Sequence, residues 1–396
     1  MSLRVGIDAT PLLGVRTGVG RYVEHLLAAL AARHLTAPHP AAPHPAAPHP
    51  APGAAGRPEL AELRATAFTW RGQADLAAAV PPGVTTAGRR APARGLQALW
   101  ARTELPPVEV LAGRGLDVFH ATNFVLPPLR RARGLVTVHD LAYLHLPGVV
   151  SAASRRYREL VPRSVRRAAV VLTPSRATAE AVWDAYGVPA DRLVVTPLGV
   201  EPLWLAAAPP DKAWLADRGL PPEYLLAVGT LEPRKGLDVL VAAYRRLLAE
   251  EPDAPPLVLV GGTGWGDQPD VAALPADRIV VPGYVGGADL VGIVAGARLL
   301  AFPSRYEGFG LPPLEAMAAG VPVVASDLPP VREVTAGLVR LVPPGDPDAL
   351  AAALAAELRA TPDGHRRAAA REHAATMTWL RCAELTAAAY QRAADG

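Results

Sequence analysis

The stretch PSRYEGFGLPPLEAMAAGVPVVAS, residues 303–326, carries the densest structural signal in the chain. An apolar run ends just before it, a glycine turn follows, and Pro312 and Pro313 stand where the first turn of a helix tolerates proline. The free amides and positive dipole end of such a helix stabilise phosphate oxygens, and Gly308 and Gly310 allow close approach of the backbone. The stretch therefore predicts a strand, a phosphate-binding turn and a helix in succession.

Two carboxylates belong to this junction. Glu307 precedes the glycine turn, and Glu315 lies within the predicted helix. Carboxylates accept hydrogen bonds from vicinal hydroxyls, so one can bind a sugar while the other binds a ribose. The alternative is that Glu307 is a turn residue and Glu315 an ordinary residue of the helix surface.

A second strand-to-helix junction, VGTLEPRKG at residues 228–236, places Arg234 and Lys235 at a predicted helix amino terminus. Cations are unfavourable there unless an anion is near. A guanidinium binds a diphosphate bidentately, and an ammonium neutralises the charge that grows as the diphosphate leaves. The pair therefore indicates a phosphate site, with two solvated surface cations as the alternative.

Strand and helix patterns alternate in both halves of the chain, which predicts two α/β domains with parallel sheets. After the first strand, a glycine turn at Gly18 and Gly20 leads into a helix over residues 19–33. The chain is expected to change domain within residues 197–210, and two open sheets bind ligands in the cleft at the carboxyl ends of their strands. The predicted strands are 3–9, 117–120, 135–139, 169–173 and 193–196, then 224–229, 257–261, 279–281, 298–302 and 321–325.

The composition is that of a globular protein, with 50% hydrophobic residues among 396. A net charge of +3 is too small to imply nucleic-acid binding. A single cysteine, Cys382, excludes an intramolecular disulfide and a multi-cysteine metal site and is compatible with a reducing compartment. Because we find neither a basic-then-apolar leader nor an apolar run long enough to span a bilayer, we expect a cytoplasmic protein.

Residues 37–52 repeat the string APHPA. Proline lacks the amide donor and fixes φ, so this segment is expected to be a polyproline-like loop rather than a helix or a central strand. Its three histidines fit a solvated low-complexity insertion better than a metal site.

The ordered set of motifs resembles the retaining glycosyltransferases of family 4, which have the α/β GT-B fold of two Rossmann-like, doubly wound domains facing across a cleft. The resemblance covers nearly the whole chain. It implies an acceptor-side domain over residues 1–200, a nucleotide-sugar-binding domain over residues 201–375, and a carboxy-terminal helix over residues 376–396 that crosses back to the first domain. The supporting strings are TGVGRYVEHLL at 17–27, VTVHD at 136–140, LTPSRATAE at 172–180, TPLGV at 196–200, GTLEPRKG at 229–236 and the stretch at 303–326.

The resemblance also implies roles for residues that bind the donor. Glu315 would hold the donor ribose and Glu307 would contact the transferred sugar, while Arg234 and Lys235 would hold the diphosphate. The remaining implied donor positions are Gly18 and Gly20, which match the family's glycine loop, and Gly308, Phe309, Gly310 and Leu311 in the phosphate-binding turn.

The acceptor side is expected to include His139, which matches a histidine near the donor sugar and the acceptor. Asp140 beside it would orient His139 or bind an acceptor hydroxyl, unless the pair only caps a loop. His120 is a further acceptor candidate unless it is packed in the core. Many relatives carry an arginine where this chain has Thr230, a donor-site position, and Arg234 is expected to take over that contact.

The expected activity is transfer of a hexose, in the first place mannose, with retained anomeric configuration, in polysaccharide biosynthesis. The overall pattern resembles mannosyltransferases that use GDP-mannose, with UDP- and dTDP-sugars left open. No residue stands out as a covalent nucleophile, which favours front-face attack assisted by the departing phosphate. The only Asp-x-Asp string, at residues 346–348, is typical of a helix cap, so neither an essential metal nor another cofactor is expected.

Three alternatives stay open: a nucleotide-sugar epimerase of GT-B fold, a phosphorylase carrying pyridoxal phosphate on a lysine, and a non-catalytic protein that binds sugar nucleotides. The joint retention of Glu307, Glu315, Arg234 and Lys235 argues against the last. The acceptor is expected to be a glycan or lipid-linked. The basic stretch at residues 155–167 predicts either peripheral contact with anionic lipid at the inner membrane face or a solvated arginine-rich helix.

Overall fold

The computed structural model describes residues 2–14, 17–35, 60–361 and 363–396. The predicted proline-rich loop at residues 37–52 and its histidines lie outside these ranges. The described chain forms two parallel sheets, each covered by helices on both faces. Because both faces of the central strands are buried, the residues of these strands are mostly apolar.

The first sheet has seven strands in the spatial order β3-β2-β1-β4-β5-β6-β7, and every neighbouring pair is parallel. The order reverses direction between β1 and β4, and ligands bind open α/β sheets at such a switch point. The strands are β1 (Leu3–Asp8), β2 (Leu60–Thr66), β3 (Thr85–Thr86), β4 (Val118–Ala121), β5 (Arg133–Thr137), β6 (Val170–Thr173) and β7 (Leu193–Val195). The helices of this half are α1 (Gly18–Leu35), α2 (Gln73–Ala79), α3 (Ala93–Trp100), α4 (Val108–Ala112), α5 (Ala142–His145), α6 (Ala152–Arg155), α7 (Tyr157–Arg167) and α8 (Arg176–Tyr186).

The second sheet has six strands in the order β10-β9-β8-β11-β12-β13, again all parallel, with its switch point between β8 and β11. The strands are β8 (Leu225–Val228), β9 (Leu257–Val260), β10 (Ile279–Gly283), β11 (Leu299–Phe302), β12 (Val323–Ser326) and β13 (Arg340–Val342). The helices are α9 (Pro202–Leu205), α10 (Lys212–Asp217), α11 (Leu237–Glu250), α12 (Gly287–Gly296), α13 (Leu311–Ala318), α14 (Pro329–Thr335), α15 (Pro347–Arg359), α16 (Gly364–Thr376) and α17 (Trp379–Asp395).

Every strand predicted from the sequence overlaps a strand of the structure, but β2, β3 and β13 were not predicted. β3 and β13 are only two and three residues long, too short for a periodic pattern. In β2, Glu62 and Arg64 interrupt the apolar run and bond to each other, with the Arg64 Nε–Glu62 Oε1 distance at 2.9 Å. Very short edge strands, and strands interrupted by charged residues, therefore cannot be recognised as buried apolar runs.

The sequence pattern over about residues 362–394 predicts one helical stretch, but its described part forms two helices, α16 and α17. The break lies at Met377 and Thr378, where Val200 donates its amide to the Met377 carbonyl over 2.9 Å and Thr378 caps α17. α16 packs against α13 of the second domain, whereas α17 packs against α1 and the first sheet. The chain therefore returns to the first domain at this break.

The two domains also touch directly along the cleft. Ser175 Oγ and Thr178 Oγ1, at the start of α8, donate to the Gly308 carbonyl over 2.7 and 2.9 Å. The amides of Arg176 and Ala177 donate to the Glu333 carboxylate of α14 over 2.9 and 3.1 Å. Ser175 caps α8 by accepting from the Thr178 amide, the opposite domain bonds the two amides before it, and these contacts close the cleft.

Candidate active site

Glu307 lies in the loop after β11, beside both cations that the sequence singled out. Lys235 Nζ donates to Glu307 Oε1 over 2.7 Å, and Arg234 Nη1 donates to Oε2 over 3.2 Å. Ser304 Oγ donates to the same Oε1 over 2.7 Å. The structure therefore joins the loops after β8 and β11 through a buried carboxylate and two cations.

The charges in this cluster hold one another ionised. Burial alone would raise the pKa of Glu307, but Lys235 and Arg234 outweigh it and lower that pKa to about 2. Burial would lower the pKa of Arg234, yet Glu307, Asp140 and Glu232 hold it above its ordinary value. Arg234 also pairs with the buried Glu232 carboxylate, with Nη2 2.7 Å from Oε1, so the cluster contains two cations and two carboxylates whose charges balance.

Arg234 and Lys235 lie just before the helix rather than in its first turn. They occupy a 3-10 turn, Pro233–Lys235, and α11 begins at Leu237 after Gly236. Gly236 has a φ of +64°, and a Cβ added there would overlap the Pro303 carbonyl oxygen. Glycine at this position therefore lets the two loops approach closely enough for their charges to meet.

The glycine turn for which phosphate binding is predicted ends in α13, which has proline at its first positions as predicted. Gly310 caps this helix with a φ of +113°, a conformation that a side chain would strain. Gly308 lies against the first domain, because a Cβ there would overlap the His139 carbonyl oxygen. Phe309 and Leu311 are almost entirely buried and pack in the hydrophobic core.

Glu315 is 2% exposed within α13 and pairs with Arg21, a residue of α1 in the first domain. Arg21 Nη2 also lies 3.7 Å from Glu201 Oε2, and His25 Nε2 lies 3.3 Å from that same oxygen. Burial raises the pKa of the Glu315 carboxyl, and Arg21 opposes this shift. The ribose-binding candidate is therefore held by a cation from the opposite domain.

Sequence reasoning missed Arg21, although the signal was present. Arg21 lies in the first turn of α1, where a cation opposes the helix dipole. The same argument selected Arg234 and Lys235. Gly18 and Gly20 also lie within this first turn rather than in a turn before the helix, with Gly18 exposed and Gly20 buried.

His139 follows β5 and is half-buried at the seam between the domains. Its Nε2 donates to the Thr122 carbonyl over 2.8 Å, which leaves Nδ1 as an acceptor. Burial lowers the pKa of this imidazole. The rings of Tyr22 and Phe124 pack edge-on at 5.0 and 5.6 Å between centroids. His139 is therefore a neutral imidazole, held in a fixed orientation, whose Nδ1 can accept a hydrogen bond.

Asp140 caps the loop that follows. Its Oδ1 accepts from the Ala142 amide over 2.9 Å at the start of α5. The hydrogen bond that orients His139 goes to Thr122, not to Asp140. The capping alternative from the sequence therefore describes the observed contact, while an acceptor contact by Asp140 stays a prediction.

The predicted acceptor role of His120 is wrong, and the alternative that it packs in the core is confirmed. It is 0% exposed, with Nδ1 at 2.9 Å from the Tyr390 hydroxyl and Nε2 at 2.7 Å from Thr137 Oγ1. Burial, with a smaller effect of His139, lowers its pKa to about 3. With both ring nitrogens bonded in the core, His120 joins β4 to α17 and does not reach an acceptor.

Thr230 lies half-buried in the loop after β8. Its carbonyl accepts from the Glu232 amide over 2.8 Å. Arg234 donates its Nη1 to the Tyr306 carbonyl over 3.0 Å and also contacts Glu232 and Glu307, and its expected replacement of the family's arginine stays a prediction. The Arg234 guanidinium therefore lies between the Glu232 and Glu307 carboxylates.

A cavity of about 380 Å³ opens in the first domain at the carboxyl ends of β1, β2 and β4. Aromatic rings form much of its wall, and Phe124 and Tyr157 stack at 4.6 Å between centroids. Asp8 lines it as well, with a pKa that burial raises to about 6 while bonds from Thr10 oppose the shift. A cavity with aromatic walls and one carboxyl suits a sugar ring, which has apolar faces and hydroxyl edges.

The basic stretch at residues 155–167 forms the end of α6 and all of α7. Its apolar side chains Leu160, Val161 and Val165 are buried, and most of its arginines are exposed. Tyr157 of this stretch lines the cavity. Among the described residues, no helix combines the length and apolarity needed to cross a membrane.

Two doubly wound parallel sheets that face each other across a closed cleft, with cations and carboxylates at their carboxyl ends, define a GT-B glycosyltransferase. The same architecture is found in the sucrose-phosphate synthase of Thermosynechococcus elongatus, with a TM-score of 0.71 at 22% identity over 99% of this chain and 98% of that one.

Sequence comparison identifies the family to which the chain belongs. Residues 16–202 match the family model described as Glycosyltransferase Family 4, and residues 222–359 match the one described as Glycosyl transferases group 1. O-antigen chain mannosyltransferase B of Escherichia coli is 34% identical over 290 residues, 69% of this chain and 74% of that protein. The MMP alpha-(1->4)-mannosyltransferase of Mycolicibacterium hassiacum is 30% identical over 256 residues, 59% of this chain and 57% of that protein. The chain therefore belongs to glycosyltransferase family 4, as predicted, and is a glycosyltransferase that uses a hexose donor.

Proposed function

We propose that this enzyme transfers mannose from GDP-mannose to a glycan or lipid-linked acceptor with retention of anomeric configuration. The observation that carries the proposal is the cluster of Glu307 with Lys235 and Arg234 at the closed seam of the two domains. In this proposal the two cations contact the leaving diphosphate, and the Glu307 carboxylate accepts a hydrogen bond from a sugar hydroxyl. The two mannosyltransferases reported above favour mannose as the sugar.

In the proposed donor complex, Lys235 and Arg234 contact the diphosphate together with the backbone amides at the start of α13. Glu315 accepts hydrogen bonds from the ribose hydroxyls, and Glu307 accepts one from the transferred sugar. His139, with its free Nδ1 acceptor, contacts the sugar or the acceptor from the first domain. The acceptor occupies the aromatic-walled cavity beside β1 and β4.

The proposed reaction breaks the bond between the anomeric carbon and the β-phosphate oxygen. A bond to the acceptor hydroxyl oxygen forms on the same face of the sugar, and the hydroxyl proton passes to the departing phosphate. Arg234 and Lys235 stabilise the negative charge of the leaving group electrostatically and do not themselves give up a proton. Asp346, in the only Asp-x-Asp string, caps α15 by accepting from the amides of Asp348 and Ala349 over 2.9 and 3.0 Å. We therefore propose that no divalent ion is essential.

The test is donor turnover by the purified chain with GDP-mannose, UDP-glucose and a dTDP-sugar, each with and without glycan and lipid-linked acceptors. We expect acceptor-dependent release of GDP, unchanged by EDTA, and an α-linked product by NMR. Donor turnover without acceptor would favour an epimerase. A glycosyl group trapped on a carboxylate by mass spectrometry would contradict front-face attack, and full activity of Glu307→Ala would contradict the site.

We further propose that the enzyme works in the cytoplasm, with peripheral contact to the inner membrane face through the exposed arginines of α6 and α7. A lipid-linked acceptor would then reach the cavity beside Tyr157 from the membrane. Liposome flotation tests this contact, because vesicles with anionic lipid should retain the protein and neutral vesicles should not. Equal flotation with both would remove the membrane proposal without affecting the transferase activity.

A further inference from the structure

Asp8 is a buried residue at the carboxyl end of β1, on the wall of the cavity in the first domain. It is 8% exposed. Its Oδ1 accepts from the Thr10 amide and the Thr10 hydroxyl over 2.9 and 2.6 Å, whereas no described residue bonds to its Oδ2. Oδ2 is not sealed off by protein atoms either, so it faces the cavity that Asp8 lines. One oxygen of this carboxyl is therefore held by the protein, and the other is left for a ligand.

The charge of Asp8 is not balanced by any described cation. Burial raises the pKa of its carboxyl to about 6, and the bonds from Thr10 are what oppose this shift. The described side chains that line the cavity with it are apolar or carry uncharged polar groups, such as those of Gln97, Asn123 and Tyr157. An anion bound here would lie close to the Asp8 carboxylate, and like charges in a buried site repel each other strongly. The cavity therefore favours a ligand that donates hydrogen bonds and carries no negative charge.

The aromatic wall of the cavity contains a residue in a strained conformation. Phe124 has a φ of +62°, which a bulky residue rarely adopts. Its amide donates to the Thr137 carbonyl over 3.0 Å, and its ring stacks on Tyr157 and packs edge-on against His139. Such strain persists where the surrounding structure holds a side chain in place, and it concentrates at ligand sites. The strained ring of Phe124 therefore connects the cavity to His139, next to the proposed site of transfer.

We propose that the cavity binds a sugar ring of the acceptor that carries no phosphate or other anionic group, with Asp8 Oδ2 accepting a hydrogen bond from one of its hydroxyls. This inference rests on the proposed function, because it takes the acceptor to contain a sugar. The apolar faces of a pyranose pack against aromatic rings, while its hydroxyl edge reaches the carboxylate. Asp8 is then a specificity-determining residue, which selects unphosphorylated sugars by binding a hydroxyl and repelling an anion.

The experiment is an NMR titration of wild type and Asp8→Asn with methyl α-mannoside, methyl β-glucoside and methyl β-galactoside, each with and without a 6-phosphate group. Asparagine keeps the size of the side chain and an oxygen that can accept from Thr10, and it replaces Oδ2 by an uncharged amide group. We expect wild type to bind at least one glycoside about tenfold or more tightly than its 6-phosphate. Asp8→Asn should bind that glycoside about tenfold more weakly, because a charge-assisted hydrogen bond is lost, and its 6-phosphate no more weakly than wild type does.

The matched control is Asp184→Asn, which alters an exposed carboxylate of α8 and should bind every probe as wild type does. Equal affinity of wild type for glycoside and 6-phosphate in all three pairs would overturn the inference, as would no binding of any glycoside. Neither result depends on the folding of a variant. Equal weakening of both members of a pair by Asp8→Asn would also overturn it, because that is the effect of a merely structural role. Steric exclusion of the phosphate would leave the discrimination intact in Asp8→Asn.

Steady-state kinetics separate this inference from the proposed function. With the preferred glycoside as acceptor, Asp8→Asn should raise the acceptor KM about tenfold and leave the KM for GDP-mannose unchanged. A loss confined to kcat would mean that Asp8 acts in the chemical step and would overturn the specificity role. Wild type that binds the glycosides but releases no nucleotide from any donor would refute the proposed donor, while the selectivity of the cavity would stand.

Discussion

The backbone of Gly308 in the second domain lies directly against the carbonyl oxygen of His139 in the first, so closely that a Cβ on Gly308 would overlap that oxygen. This contact joins the glycine turn at residues 308–310, which is proposed to bind phosphate, to the proposed acceptor side. Glycine at position 308 is therefore a requirement of the closed cleft, independent of any ligand.

Gly308→Ala should separate nucleotide binding from catalysis. The added methyl group prevents full closure, and a displacement of about 1 Å at a reacting centre costs roughly 100-fold in rate. We expect kcat/KM to fall by about that factor while GDP still binds the second domain. Steady-state kinetics and calorimetry measure the two effects. Gly364→Ala is the control, since a Cβ at that helix start meets nothing within 4 Å, and wild-type kcat/KM in Gly308→Ala would contradict the closure argument.

Glu307→Gln should destabilise the fold in a pH-dependent way. The substitution leaves the partly buried Lys235 without its carboxylate partner, while Arg234 keeps Glu232, and loss of this buried ion pair costs about 3 kcal/mol at neutral pH. Because the folded-state pKa of Glu307 is lowered from 4.5 to about 2, its stabilising contribution is complete above pH 4.5 and is lost as the pH falls towards 2. Urea unfolding of both proteins across this range measures the difference in free energy of unfolding.

The control for this prediction is Glu180→Gln, an exposed residue of α8, which should unfold as wild type does. A difference between wild type and Glu307→Gln that is independent of pH down to pH 3 would show that the carboxylate is not held ionised by the two cations.

His139 should remain neutral at physiological pH. Burial lowers its pKa, so its imidazole takes up a proton only below the ordinary value of 6.5. We therefore expect its NMR titration midpoint, assigned with His139→Asn, to lie below pH 6.5. We also expect no loss of kcat/KM attributable to this residue between pH 8 and 6.5. A midpoint at or above pH 6.5 would mean that the charged form is stabilised and that His139 acts as an acid.

Glu333→Ala should shift the domains towards an open arrangement. The substitution removes the two hydrogen bonds to the amides of Arg176 and Ala177, and loss of such a cap costs about 1 kcal/mol. That change corresponds to a roughly fivefold shift towards the open state. Small-angle X-ray scattering should show a larger radius of gyration for Glu333→Ala. The control, Glu372→Ala, alters an exposed carboxylate on α16, and identical scattering of all three proteins would contradict the prediction.

Much of the fold could be predicted from local sequence patterns. Apolar runs, glycine turns and prolines at helix starts depend only on residues that are close in the sequence. They therefore indicate strands such as β1 and β8 and the start of α13. Short edge strands and the break between α16 and α17 could not be predicted in this way. At the break, Met377 accepts a hydrogen bond from the amide of Val200, a residue far away in the sequence.

The same division applies to the site. The sequence by itself determined the family, the two α/β domains, and the cations and carboxylates at strand ends, because chemistry-bearing residues follow strands in local patterns. Only the tertiary structure decided that Arg21 pairs with Glu315, that Gly308 lies against His139, and that His120 is buried. These outcomes depend on how two separately wound sheets meet, and the short-range periodicity of a chain does not encode the distance between residues on opposite sides of a cleft.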